Sequence, residues 1–117
     1  MKRILSISYD EPLLQTRQMM LRLKGYEVQS ALGFTAALRE CKSGDFDLAI
    51  IGHSIPREDK EAIIKQLRAI CSAPVLALRR IDESPTLAAD CNMEFGDPEI
   101  FLNFVDEMLN NKSQSAS

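Results

Sequence analysis

Apolar residues in this chain gather into short runs that alternate with stretches where they recur every three or four positions. Arg3–Ser8 (RILSIS) concentrates Ile4, Leu5 and Ile7, Leu48–Ile51 (LAII) is wholly apolar, and Pro74–Leu78 (PVLAL) is close to it. Runs this short, bounded by Gly, Pro or polar residues, read as strands buried on both faces. Tyr26–Ala31 (YEVQSA) alternates and reads as a more exposed strand, and Met93–Phe95 is a candidate last strand. The stretches between them carry helical spacing. Asp10, Glu11 and Pro12 open a first helix with Leu13, Leu14, Met20 and Leu21 on its core face, stopped by Gly25. Phe34, Ala37, Leu38 and Cys41 mark a second, closed by Ser43-Gly44. A third is expected over Asp59–Ile70, with Asp59 as N-cap and Ile63, Leu67 and Ile70 facing inward. Asp97-Pro98-Glu99 starts the last, whose buried face is Ile100, Phe101, Phe104, Val105 and Met108. Arg79–Asn92 has no sustained period; at most a brief turn follows Ser84-Pro85.

Strands alternating with helices predict an α/β fold: a doubly wound, five-stranded parallel sheet with helices on both faces. The order expected for five strands in so short a chain is the flavodoxin-like 2-1-3-4-5. One domain over residues 1–110 and a flexible polar tail over residues 111–117 account for the chain. In such sheets ligands meet the strand ends, which here carry Ser8-Tyr9-Asp10, Gly52-His53 and Arg79-Arg80.

Composition narrows the classes. At 117 residues, 45% hydrophobic and 26% charged, with a formal charge of -3, the chain offers no basic surface for nucleic acid. It has neither a membrane-spanning run nor a signal-peptide core, so a cytoplasmic protein with no membrane contact is expected. Cys41, Cys71 and Cys91 are an odd, widely spaced set; they predict no disulfide framework and no zinc site, with Cys41 and Cys71 as small core residues. One histidine excludes a His-rich metal site, and no cofactor motif of the dinucleotide or Walker type occurs. His53 lacks an evident nucleophile and orienting acid, and G-x-S-x-G is absent.

The segments RILSISYDEPLL, LKGYEVQSA, FDLAIIGHSIP, APVLALRR and GDPEIFLNFVDEML resemble the receiver domain of bacterial response regulators. The spacing holds without gaps from Arg3 to the Gly25-Tyr26 corner, from Phe46 to Pro56 and from Pro74 to Arg79. The resemblance implies self-catalysed aspartyl phosphorylation: an Asp after the third strand, two Mg²⁺-holding acids after the first, a Thr/Ser and a Lys. At those positions stand Gly52, then Ser8 and Tyr9 (Asp10 only after a one-residue slip), Arg79 and Glu94. Every member is altered. The interval from Arg79 to Glu94 is also several residues short, which predicts a shortened or missing fourth helix, and the aromatic switch position falls near Cys91.

The reading is a degenerate receiver that stands alone, acts by protein–protein contact, is not an enzyme and needs neither metal nor cofactor. Signalling proteins are its expected partners: a histidine kinase, another regulator or a second copy of the chain. Arg79 or Arg80 is expected to fill the place of the absent metal and pair with Asp10, Glu11 or Glu94. The alternative is a small-ligand binder or weak enzyme using Asp10, His53 and Arg79 in the strand-end crevice. A third, phosphorylation at Asp47 or Asp59 by register slip, places the carboxyl before the strand or beyond the loop. The run Arg57-Glu58-Asp59-Lys60-Glu61 reads as a solvated first helical turn.

Overall fold

The computed structural model describes residues 2–110, so the expected tail lies outside the described residues. In chain order the elements are β1 (Arg3–Ser8), α1 (Glu11–Leu23), β2 (Glu27–Leu32), α2 (Phe34–Ser43), β3 (Leu48–Ile51), α3 (Arg57–Ile70), β4 (Val75–Arg79), β5 (Cys91–Glu94) and α4 (Pro98–Asn110). The strands form one five-stranded sheet ordered β2-β1-β3-β4-β5, with every neighbouring pair parallel.

The apolar strands are continuous because both sides are covered. Leu5, Ile7, Ala49, Ile51 and Val75 pack with Ala37 and Cys41 of α2 and Ile63, Ile64 and Leu67 of α3. The alternate positions Ile4, Leu48, Ile50, Leu76 and Leu78 pack with Leu21 of α1 and Phe101, Val105 and Leu109 of α4. Side chains of a strand point to opposite faces in turn, so each run supplies both cores. β2 lies at an edge and is the more exposed strand expected, but its buried residues Val28 and Ala31 stand three positions apart instead of alternating.

Several helical details differ from expectation. α3 starts at Arg57 with Pro56 at the cap position and no side-chain cap, so Asp59 sits inside the first turn. Pro56 fixes the entry by its φ of -60°, which needs no capping oxygen. Ile70 and Ile100 are exposed, whereas Ile64 and Leu109 are buried; Ile70 is the last residue of α3 and Ile100 lies in the first turn of α4. Gly25, at φ 93°, turns the chain from α1 into β2 in a conformation that side-chain-bearing residues avoid.

No helix forms between β4 and β5. The linker is held instead by individual hydrogen bonds. Asn92 accepts from Thr86 N at 2.7 Å and donates to Thr86 O at 3.0 Å, so its carboxamide pairs with both backbone groups of a fully buried residue. Asp90 accepts from Val75 N at 2.7 Å and from Arg68 at 3.1 Å. Glu61 accepts from Leu87 N, and Arg68 donates to Ala88 O. A helix satisfies its own backbone; this linker borrows partners from α3 and β5.

Asn92→Ala strands both backbone groups of Thr86 and is expected to lower stability by about 1–3 kcal/mol in urea unfolding. An unchanged midpoint would show that the linker is fixed without it.

Candidate functional site

The carboxyl ends of β1, β3 and β4 converge, and their loops are laced together. Ser8 Oγ lies 3.0 Å from Ser54 Oγ and accepts from Asp10 N at 3.0 Å, while Tyr9 N donates to Ser54 Oγ at 3.3 Å. Ser8 is completely buried. Asp10 is the N-cap of α1 and accepts from Leu13 N at 3.0 Å. Tyr9 points its hydroxyl at Asp59, 2.9 Å away, and burial together with that carboxylate pushes the phenol up to about 12.

Gly52 ends the buried run of β3. A Cβ built on it would lie 2.6 Å from Arg17 Nη2 and 3.2 Å from Ile7 O. Arg17 therefore occupies the space that a side chain at position 52 would need. Its guanidinium donates to Ser6 Oγ at 3.0 Å and Ile7 O at 3.2 Å, and the residue is 3% exposed. Among the described residues no carboxylate lies within ion-pair distance of it. Burial alone pulls Arg17 down to about 10, which still leaves it charged at neutral pH. Arg17 reaches this space from α1 along the stripe Leu14, Arg17, Leu21.

Of the pairs expected of Arg79, the one with Glu94 forms. Its Nη1 donates to Glu83 O at 2.9 Å and its Nη2 meets Glu94 at 3.4 Å, while no contact joins it to Asp10 or Glu11 among the described residues. Both side chains of that ion pair are partly exposed, so the pair contributes only ~0–1 kcal/mol. Arg80 lines an open cleft of about 320 Å³ with His53, Ser54, Ile55, Pro56, Asp82 and Glu83.

A second buried cation was also misread in the sequence. Lys60, taken there for part of a solvated turn, is 0% exposed. Its ammonium donates to Leu78 O at 2.7 Å and to both oxygens of Glu83 at 3.0 and 3.1 Å. The stripe Lys60, Ile63, Ile64, Leu67 would have flagged it, as Leu14 and Leu21 flag Arg17: each cation sits in phase with apolar neighbours.

His53 stacks on Phe95, ring centroids 4.2 Å apart and planes 15° from parallel, and its Nδ1 is buried without a partner. Burial first, then the charges of Arg17, Arg80 and Lys60, lower its pKa below 6.5 against a smaller upward pull from Asp10. Sequence reasoning missed the stack because His53 and Phe95 follow different strands. The two acids considered for a slipped register are engaged: Asp47 accepts from Arg3 N at 2.8 Å at the opposite edge of the sheet, and Asp59 accepts from Tyr9.

A divalent cation does not fit this donor set. Ser8 is bonded within the loops, Asp10 caps α1, and the neighbouring charge is a guanidinium. No group of three or more His, Cys, Asp or Glu that could hold a metal occurs among the described residues.

Two titrations set the acid response. Burial raises Glu83, but Lys60 and the Arg80 N–H outweigh it and hold the carboxyl below 4.5. Its contribution is present above 4.5 and lost as pH falls through the lower folded value. His53 contributes fully above 6.5 and loses stability as pH falls through its own depressed value. His53→Gln is expected to remove the upper loss in urea midpoints measured against pH, and identical profiles would show an imidazole titrating as in water. Glu83→Gln at neutral pH should cost about 2–3 kcal/mol by leaving the Lys60 charge buried and unpaired.

Three solved structures show how this architecture is shared. A two-component response regulator from Clostridium difficile superposes with a TM-score of 0.85 at 21% identity, over 96% of this chain and 98% of that one. The receiver domain of the hybrid histidine kinase CckA gives 0.77 at 23%, over 92% and 99%. The response regulator TrrA from Thermotoga maritima, in complex with Mg²⁺-BeF, gives 0.73 at 26%, over 93% and 100%. No protein-family model matches the chain, and comparison with curated protein sequences finds no significant match. The sheet order, the flanking helices and these superpositions agree: this chain has the flavodoxin-like fold of response-regulator receiver domains.

Proposed function

We propose that this chain is a pseudo-receiver, a signal-transduction module that works through protein–protein contact without aspartyl phosphorylation. One observation carries the reading. Where the fold's acceptor carboxyl would stand, Gly52 offers bare backbone and the Arg17 guanidinium fills the space. A nucleophilic carboxylate, a hard cation with oxygen ligands and a free cationic contact are all required for phosphoryl transfer to an aspartate. Among the described residues, no carboxylate stands at position 52 and Asp10 is engaged as the N-cap of α1. The chain is therefore a binding protein rather than an enzyme, and its partners are of the signalling class: a histidine kinase, another regulator or a second copy.

Such a module holds one arrangement of its strand-end loops, because internal hydrogen bonds stand where others of its fold would place a ligand. Binding is then set by abundance and affinity, not by a covalent mark. A ligand-binding reading has one observation in its favour, the open cleft beside His53 with its unpartnered Nδ1. A thermal shift with nucleotides or phosphorylated metabolites would favour that reading.

Mg²⁺ with beryllofluoride, a phosphoryl mimic, is expected to leave the amide spectrum of the ¹⁵N-labelled protein unchanged. Acetyl phosphate with Mg²⁺ should add no mass. Shifts clustered at Tyr9, Gly52 and Arg79, or a phosphoryl adduct, would overturn the proposal. Gly52→Asp alone should not restore phosphorylation, since the new carboxylate would meet Arg17 and still lack metal-holding acids.

A further inference from the structure

The three cysteines are not the unrelated set that their spacing suggests. Cys41 and Cys71 lie side by side in the structure, with Cα atoms 6.1 Å apart, within the range that a disulfide spans without backbone movement. Spacing could not show this, because packing of α2 against α3 brings together residues separated by 30 positions. The two sulfurs differ in access. Cys41 lies on the inner face of α2 and is 3% exposed. Cys71 is the C-cap of α3 and borders an open cleft of about 220 Å³ with Gly44, Asp45, Phe46, Ile70 and Ser72. Both cysteines line one small apolar cavity between α2, α3 and the sheet, with Leu5, Ala49 and Leu67.

We propose that Cys41 and Cys71 are a reversible thiol–disulfide couple, with Cys71 the sulfur that meets the oxidant and Cys41 the one that resolves it. The oxidant is a low-molecular-weight disulfide. The Cys71 thiolate attacks one of its sulfurs, the oxidant's S–S bond breaks, and the other half leaves as a thiolate that takes up a proton. The Cys41 thiolate then attacks the Cys71 sulfur and expels the second half. Two protein thiols have become one disulfide, and the oxidant has become two thiols. The bond ties the end of α2 to the end of α3 at the edge of the sheet where β3 and β4 begin, opposite Gly52. This device acts whether or not the strand-end site signals.

The free Cys91 is removed first by Cys91→Ser so that only the pair is read. Oxidised glutathione is expected to take two hydrogens from this protein within a single chain, reversibly with dithiothreitol, and to raise the thermal midpoint by roughly 10 °C. With Cys41→Ser added, glutathione should remain attached at Cys71. With Cys71→Ser added instead, the protein should stay unmodified. Persistence of both thiols, cross-links only between chains or a lowered midpoint would overturn the couple. Glutathione on Cys41 in the Cys71→Ser protein would overturn the assignment of roles.

Discussion

A guanidinium sealed into the end of a sheet keeps its charge, so the surrounding backbone has to satisfy it. Arg17 does this with Ser6 Oγ and the Ile7 carbonyl, and with no carboxylate among the described residues. Its position constrains everything near it. A Cβ at Gly52 would stand 2.6 Å from Nη2 and 3.2 Å from Ile7 O, so a side chain there would require the guanidinium to move. The β1 loop must then find its partners elsewhere, which it does through Ser8 and Ser54. Along β3, alternate residues face α1 and α4, and continuing that alternation past Ile50 turns position 52 toward α1. Glycine at 52 and arginine at 17 are in this sense one feature made by two elements.

The second buried cation explains how the fold tolerates a missing helix. Lys60 reaches from α3 to the last turn of β4 and holds Glu83 of the linker with two bonds near 3 Å. A buried ammonium has a large desolvation cost and is stable only with its oxygens in place. The linker is thereby fixed at one point near β4, while Asn92 and Asp90 fix it near β5. Between these anchors Ile81 and Leu87 stay exposed, as residues of a loop with no helix to align them.

Burial first, then Arg17, Arg80 and Lys60, lower the pKa of His53, whose ring stacks on Phe95. The strand-end region is thus a set of fixed positive charges, loops bonded to each other and an aromatic stack. Phosphoryl chemistry needs carboxylates free to bind metal and to attack; here the carboxylates cap a helix, accept from a tyrosine or neutralise a lysine.

Strand composition and helical periodicity by themselves determined the α/β class, the sheet order, the place of the strand ends and the loss of the helix after β4. Those features are written in local patterns: LAII can only be doubly buried, and a gap with no period cannot pack as a helix. The place of Gly52 at the end of β3 was legible for the same reason. Only tertiary structure decided what packs against it. Arg17 and Lys60 sit in phase with apolar neighbours, but what their charges meet depends on which face α1 and α3 turn to the sheet. The Cys41–Cys71 pair and the His53–Phe95 stack likewise join residues from different elements. Long-range contacts of this kind arise from packing geometry, which no local spacing encodes.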